Sequence, residues 1–118
     1  MNFLDAEVLG SGRVGLPGGV ALDVSGSGAD LATGHPVVLG VRPEHAVIEL
    51  DGALELEVEL AEPLGAETLI HGVLRPGDGT FTVRVNGEQR VTPGERIRLR
   101  VEQDKLHLFD HESGLRLS

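Results

Sequence analysis

Five histidines and one glycine-rich segment are the parts of this sequence best suited to catalysis or to binding a metal or cofactor. His107 and His111 are four residues apart, which is a metal-ligand spacing if the segment is helical. Residues 106–109 alternate like a strand, so we expect an exposed strand and turn there, and no metal. Glu44 and His45 could form an acid–base pair, but no serine, cysteine or second carboxylate stands beside them. The sequence therefore predicts no catalytic residue.

The glycine-rich segment, residues 10–15, formally matches the dinucleotide fingerprint G-x-G-x-x-G. That fingerprint requires its last glycine to lead into a helix whose N-terminus faces a pyrophosphate. Here a Leu-Pro-Gly-Gly turn follows, so we expect a bulged β-hairpin and no cofactor. A P-loop is absent as well, because the only lysine, Lys105, has no glycine loop before it.

Composition narrows the kinds of partner that the chain could bind. Its 118 residues carry a formal net charge of −9, which repels phosphate backbones and anionic lipid. Three Phe without Trp or Tyr offer few platforms for stacking bases. No apolar run approaches ~18 residues, and the first ten residues lack the basic region of a secretory signal. The absence of cysteine is compatible with a reducing cytoplasm. From the charge, the scarcity of aromatics and the lack of a long apolar run, we expect no binding to nucleic acid and no insertion into membranes.

Alternating apolar and charged residues predict that β-strands position these side chains. Residues 54–60 alternate without error, which places the apolar residues inside and the three glutamates outside. Residues 81–85 and 96–101 alternate in the same way, whereas residues 36–41 and 68–74 are more continuously apolar, as in strands buried on both faces. In the strand predicted at residues 54–60, the residues expected to point inward are Leu54, Leu56, Val58 and Leu60. The residues expected to share one core are Leu56, Val58, Phe81, Val83, Leu99 and Val101.

Gly, Pro, Asn and Asp clusters separate these runs at short intervals. Several short strands at this spacing predict an all-β barrel or sandwich. Residues 25–34 are polar and rich in glycine, and we interpret them as a loop. We therefore expect a single domain over residues 1–118, with N-terminal strands and the loop in 1–34 and the main body in 35–118.

Two charged rows have the period of a strand. Glu55, Glu57, Glu59 and Glu62 form the acidic row, and Arg96, Arg98 and Arg100 form the basic row. If the two strands are neighbours, opposite charges attract across the ladder and the rows are structural. If they are not, each row is a charged surface available to a partner.

Five motifs are spread in order along the whole chain. They are Met1-Asn2-Phe3-Leu4, Gly40-Val41-Arg42-Pro43-Glu44-His45, Glu62-Pro63-Leu64-Gly65-Ala66-Glu67-Thr68, Pro93-Gly94-Glu95 with Ile97 and Leu99, and Leu106-His107-Leu108-Phe109-Asp110 with Gly114 and Leu117. Each motif is weak alone, but together they resemble the C-terminal domain of ABC importer ATPases for maltose, other sugars and glycerol phosphate.

The resemblance implies an OB-like (TOBE/MOP-like) β-barrel, the transport-associated OB domain. In that family the domain carries no ATPase chemistry, helps to hold two ATPase subunits together and, in the maltose system, is a docking surface for regulators. The family's ATP-binding domain has no counterpart among these 118 residues. Its nucleotide chemistry is therefore carried onto no residue here.

The motif residues also have structural explanations. Pro43 biases Arg42 towards extended backbone and can end a strand. Gly65 and Gly114 suit turn positions with positive φ, and Phe109 suits a core or an interface. The candidate interface residues are Arg42, Pro43, Glu44, His45, Gly65, Glu67, His107, Phe109, Asp110 and Gly114.

The first functional hypothesis is a non-catalytic regulatory and dimerisation module of an importer ATPase. Its expected partners are the parent ATP-binding domain, a second copy bound weakly, a cytoplasmic regulatory protein and, indirectly, a membrane permease. The alternative is an oxyanion-binding domain of the molybdate type, with backbone donors in the Gly10–Gly12 turn. We expect the self-contact to use residues 42–45 and 107–115.

Overall fold

The computed structural model describes residues 1–10, 12–24, 32–77, 79–102 and 105–117. Within these residues the chain forms short antiparallel strands joined by tight turns, as the alternating pattern predicts. The strands are β1 (Asn2–Gly10), β2 (Arg13–Gly15), β3 (Ala21–Asp23), β4 (Pro36–Val41), β5 (Ala46–Ile48), β6 (Leu54–Pro63), β7 (Glu67–Arg75), β8 (Thr80–Asn86), β9 (Arg96–Val101) and β10 (His107–Asp110). A short 3₁₀ helix, Pro43–His45, lies between β4 and β5.

The first sheet has the strand order β10-β4-β1-β2-β3 and joins the two ends of the sequence. β4 pairs with β1 on one side and with β10 on the other. The β1–β2 hairpin is irregular between Val8 and Gly10, and Gly10 and Gly12 have φ values of 89° and 71°. This confirms the bulged hairpin expected of the G-x-G-x-x-G segment, since both glycines occupy the left-handed region.

The second sheet has the order β5-β9-β6-β7-β8 and curls until its two edge strands approach each other. The 3₁₀ turn packs against β8 in the gap. Asn2 of β1 covers the same edge, because its side-chain amide donates to the Thr82 carbonyl at 2.8 Å and accepts from the Thr82 N–H at 2.8 Å. This side chain replaces a missing strand neighbour and protects the sheet edge. The result is a nearly closed barrel.

One apolar core lies between the two sheets. Leu56, Val58, Phe81, Val83 and Leu99 are all at most 1% exposed and belong to it, as predicted. Val101, at the end of β9, is only partly buried against the same core. The inward positions of these five fully buried residues were therefore predicted correctly.

The predicted inward position of Leu60 is wrong. Val58 lies opposite Gly72 while Leu60 lies opposite His71, so β6 contains one extra residue at a β-bulge. An extra residue reverses which face the following side chains occupy, and Leu60 is 55% exposed. The bulge also brings the strands close, since a Cβ on Gly72 would lie 2.3 Å from the Glu57 carbonyl oxygen.

The expectation of strands buried on both faces is wrong for β7. Its residues alternate between buried and partly exposed along the full length of Glu67–Arg75. β7 is central in its sheet, yet only one face packs on the core, as is usual for an antiparallel sheet. β4 is closer to a strand buried on both faces, because Val37, Leu39, Gly40 and Val41 are all buried.

The acidic and basic rows lie on neighbouring strands, β6 and β9. The Arg96 guanidinium binds Glu55 at 3.2 Å and Glu57 at 3.5 Å. Arg98 donates to the Gly52 carbonyl at 2.9 Å. Because these pairs are exposed, each contributes about 0.2–1 kcal/mol, and the two rows are structural pairs across the β6–β9 ladder.

The proposed loop at residues 25–34 lies mostly outside the described residues, which resume at Ala32. Gly34 follows with a φ of 90° and donates to the Val8 carbonyl at 2.7 Å. The division of the chain at residues 34 and 35 stays a prediction.

Candidate functional site

The four residues from Arg42 to His45, here called the RPEH turn, end β4 and redirect the chain. Arg42 is extended, with φ −71° and ψ 142°, because the proline ring that follows disfavours helical geometry. Pro43 then opens the 3₁₀ turn, and the His45 N–H donates to the Arg42 carbonyl at 2.9 Å. Glu44 points into solvent, and a bond to backbone N–H is the largest cause of its lowered pKa. His45 is half-buried, and its Nδ1 has no hydrogen-bond partner among the residues that the structure describes.

Gly65 and Glu67 lie at the β6–β7 turn. Gly65 has a φ of 89°, as predicted, and no described residue comes within 4 Å of the position its Cβ would take. Glu67 binds Arg84 of β8 at 3.2 Å. The Arg84 charge also lowers the pKa of Glu44, so Arg84 links the RPEH turn to Glu67. Gly65 is explained by the turn alone.

The closing segment, residues 107–117, folds back along the edge of the first sheet. The Gly114 N–H donates to the Asp110 carbonyl at 2.9 Å, and the Leu117 N–H donates to the Leu108 carbonyl at 2.7 Å. Gly114 has a φ of 73°, which confirms the positive φ expected there. His107 and Phe109 lie on the outer face of the sheet, while Leu108 is buried.

Asp110 joins the closing segment to the start of β4. Its carboxylate accepts from the Ser113 N–H at 2.9 Å and meets His35 Nε2 at 2.7 Å. These bonds favour the ionised form and lower the pKa of Asp110 from 3.8 to about 2. The contact spans 75 residues of sequence.

Acid is expected to destabilise the wild-type chain more than Asp110→Asn. Because the folded pKa is the lower one, the stabilising contribution is present above the unfolded value near 3.8 and is lost as pH falls towards about 2. Denaturant titrations across this range measure the difference, and Asp51→Asn, in an exposed turn, is the matched control. Equal acid sensitivity of wild type and Asp110→Asn would show that the carboxylate has no such role.

Two aromatic rings form an exposed pad on the outer face of the first sheet. The rings of Phe3 and Phe109 meet edge to face, with centroids 6.1 Å apart, and Phe3 is 61% exposed. Gly40 lies beneath them, and a Cβ there would lie 2.8 Å from Met1 Sδ and 3.0 Å from Phe109 Cε2. Met1 and Phe109 therefore fill the space above Gly40, so the pad has no hollow and suits a contact surface better than a pocket.

A carboxylate, an imidazole and a hydroxyl also meet on the outer face of the second sheet. His71 lies 3.0 Å from Thr82 Oγ1 and 3.1 Å from Glu62 Oε1. The order Thr82, His71, Glu62 resembles a nucleophile with its base and a carboxylate. Nucleophilic catalysis also needs an N–H that can bind a developing oxyanion. The Thr82 N–H is occupied by Asn2. The group is therefore a polar ladder across three strands.

A metal cluster, a cavity between the sheets and the glycine turn were the remaining candidates for a ligand site. Among the described residues, no group of three or more His, Cys, Asp or Glu could hold a metal ion. A largely apolar cavity of about 190 Å³ lies between the sheets, lined by Leu16, Leu54, Leu74 and Pro76, with Arg75 held by the Gly77 carbonyl at 2.7 Å. Ser11 of the Gly10–Gly12 turn lies outside the described residues. The described part of the chain contains no helix long and apolar enough to cross a membrane.

Together the fold and the surface define a small OB-like barrel whose family-motif residues serve turns and contacts. Comparison with family models agrees: the TOBE domain matches residues 39–109, and the MalK OB fold domain matches residues 1–46. The chain belongs to the TOBE domain family.

Relatives match along the whole chain. The sn-glycerol-3-phosphate import ATP-binding protein UgpC of Salmonella typhi is 41% identical over 120 residues, covering 99% of this chain and 33% of that protein. The protein of the same name from Ruegeria sp. (strain TM1040) is 39% identical over 118 residues, covering 100% of this chain and 32% of the relative. The chain therefore spans about a third of the length of these relatives.

A solved structure confirms the fold. The cytoplasmic molybdate-binding protein ModG, with molybdate bound, superimposes with a TM-score of 0.74 at 20% identity. The match covers 91% of this chain and 94% of that one. The predicted all-β, OB-like barrel is thus correct.

Proposed function

We propose that this chain is the non-catalytic regulatory and dimerisation domain of the ATPase subunit of an ABC importer for carbohydrates or glycerol phosphate. The observation that carries the proposal is the end-to-end match to import ATP-binding proteins. The geometry supports it, because the RPEH turn and the closing segment expose motif residues such as Arg42 and Glu44 on the outer surface. ATP hydrolysis belongs to the parent subunit.

The other proposed partners are those of the parent ATPase subunit. It works in the cytoplasm at the inner face of the plasma membrane, where its ATP-binding domain drives a permease. A cytoplasmic regulatory protein is a further partner of the exposed surface. An oxyanion site on the Gly10–Gly12 turn has less support, because both glycines serve a bulged hairpin there.

The proposed self-contact centres on the aromatic pad. Phe3 and Phe109 form its apolar middle. Gly40 lies opposite both Phe3 and His107 in the sheet, which places Arg42 towards one end of this face and Asp5 towards the other. A two-fold axis through the pad would bring the cationic end of one copy onto the acidic end of the next. The same patch can therefore meet itself.

Self-association is expected to be weak, with monomer at micromolar protein and low salt. The net charge of −9 repels a second copy, and salt screens that repulsion. Dimer should grow with protein concentration and ionic strength, and Phe3→Ser should weaken it about tenfold, as for a central interface aromatic. Sedimentation velocity over a concentration and salt series measures this. Leu50→Ser is the control, since Leu50 is 93% exposed and lies away from the pad.

A strictly monomeric chain at millimolar protein and high salt would refute intrinsic dimerisation. Equal weakening by Phe3→Ser and Leu50→Ser would place the contact elsewhere. Either result leaves regulator docking as the role of the pad.

A further inference from the structure

Asn86 and Gly87 form the one asparagine–glycine pair of the sequence, and they lie where β8 ends. Asn86 is exposed and pairs with Glu67 of β7. Gly87 has a φ of 78°, and its left-handed backbone turns the chain away from the strand. Asparagine is chemically most reactive before glycine, because glycine has no side chain to shield its backbone nitrogen.

The reaction open to this pair is deamidation. The Gly87 nitrogen loses its proton to a solvent base and attacks Cγ of Asn86. The bond from Cγ to Nδ2 then breaks, and the amide nitrogen takes up a proton and leaves as ammonia. Water opens the resulting cyclic succinimide at either carbonyl, which gives aspartate or isoaspartate. The steps involve no oxidation or reduction, and water is the only co-reactant.

The fold engages both backbone groups of the glycine that must react. The Gly87 N–H donates to the Ala66 carbonyl at 2.7 Å. The Gly87 carbonyl accepts from the Thr68 hydroxyl at 2.8 Å. The nitrogen has to lose its proton and approach Cγ before the ring can close. Both hydrogen bonds therefore have to break before Asn86 reacts.

Thr68 holds this turn from inside the core. It is 1% exposed, and it is the only buried polar side chain in the part of the chain that the structure describes. Its oxygen also accepts from the Gln89 N–H at 3.3 Å, so one hydroxyl ties down the chain on both sides of Glu88. Burying a hydroxyl costs free energy unless it is hydrogen-bonded, and valine would fill the same space without that cost. The contact with the turn thus explains a hydroxyl at this position.

We propose that Asn86 is a site of spontaneous deamidation that the folded chain suppresses, and that Thr68 controls its rate. The reaction proceeds through local opening of residues 86–89, because β8 is an edge strand of its sheet. Isoaspartate adds a methylene group to the backbone and a negative charge opposite Glu67. Like charges directly opposite each other destabilise a strand pair, so the turn closes less well after the reaction.

The test incubates the full chain at mildly alkaline pH and follows Asn86 by peptide mass spectrometry, with isoaspartate resolved by chromatography. The folded chain should react at least about tenfold more slowly than the same chain unfolded in guanidinium chloride, because two hydrogen bonds must break. Thr68→Val should speed the reaction of the folded chain about tenfold and raise the exchange rate of the Gly87 amide proton by the same factor. Thr68→Ser keeps the hydroxyl and should stay close to wild type.

Thr82→Val is the matched control, since it removes a hydroxyl from β8 that meets His71 and not the turn. It should leave the rate at Asn86 unchanged. Asn2 is the internal control, because its amide is bound to the Thr82 backbone and phenylalanine follows it. Leu56→Ala weakens the core near the other end of β7 and should also leave the rate unchanged, because the opening is local.

Equal rates at Asn86 in the folded and unfolded chains would overturn the proposal. So would a rate that Thr68→Val leaves unchanged while the amide spectrum stays normal. Acceleration by Leu56→Ala to the level of Thr68→Val would overturn the local opening, because the reaction would then follow global unfolding. Should Thr68→Val not fold, the ratio of folded to unfolded rates in wild type and the exchange of the Gly87 amide decide the question.

Discussion

Replacing Leu56 by alanine is expected to lower the free energy of unfolding by about 2–5 kcal/mol, whereas the same change at Leu60 should cost at most about 0.5 kcal/mol. Both leucines lie on β6, four residues apart. Leu56 is 0% exposed and Leu60 is 55% exposed, because the bulge reverses the face between them. Removing the Leu56 side chain leaves a cavity in the core, and removing that of Leu60 leaves only solvent.

Urea unfolding of the two variants measures this difference directly. The two variants have the same substitution on the same strand, so the difference in intrinsic strand propensity between leucine and alanine cancels in the comparison. Comparable losses of stability at the two positions would mean that β6 runs without the bulge and that Leu60 packs inside.

Local patterns predicted most of the strands, because each strand with one buried face alternates in sequence. Phe81, Val83 and Leu99 were placed in the core on that basis alone. The proline of the RPEH turn and the glycines at positive φ were predictable for the same reason, since their conformational limits are intrinsic to the residue.

The bulge in β6 was not predictable from periodicity. Residues 54–60 alternate without error, and nothing within them marks the extra residue. The signal lies on the partner strand, where Gly72 permits the close approach to Glu57 that the bulge requires. Pairing with another strand, and not the local sequence, decides the face that Leu60 occupies.

Sequence patterns also fail to predict contacts between residues that are far apart in the chain, because these contacts too depend on how the strands pair. The Asn2 amide meets the backbone of Thr82, and His35 meets Asp110, across 80 and 75 residues. Asn2 and Asp110 belong to motifs identified by resemblance, but the resemblance did not give their partners. The candidate interface residues were likewise identified as motif members. In the structure, residues 42–45 form the RPEH turn, His107, Phe109, Asp110 and Gly114 lie in the closing segment, and Gly65 lies in an ordinary turn.

The proposed role makes the domain exchangeable between related ATPase subunits. The chain corresponds to about a third of UgpC from Salmonella typhi, at 41% identity. Exchange of that third for residues 1–118 should give a chimera that supports uptake of glycerol phosphate in cells lacking the native subunit. Deletion of the third without replacement should abolish uptake, because the contact between the two subunits is lost.

Uptake by this chimera is the most direct test of the central claim that the chain is an assembly module of an importer ATPase. A second chimera that carries the ModG barrel, which shares the fold at 20% identity, controls for the fold alone. The account predicts uptake with residues 1–118 and none with the ModG barrel or the deletion. A chimera with residues 1–118 that assembles with the permease and hydrolyses ATP, yet transports no better than the deletion, would contradict it.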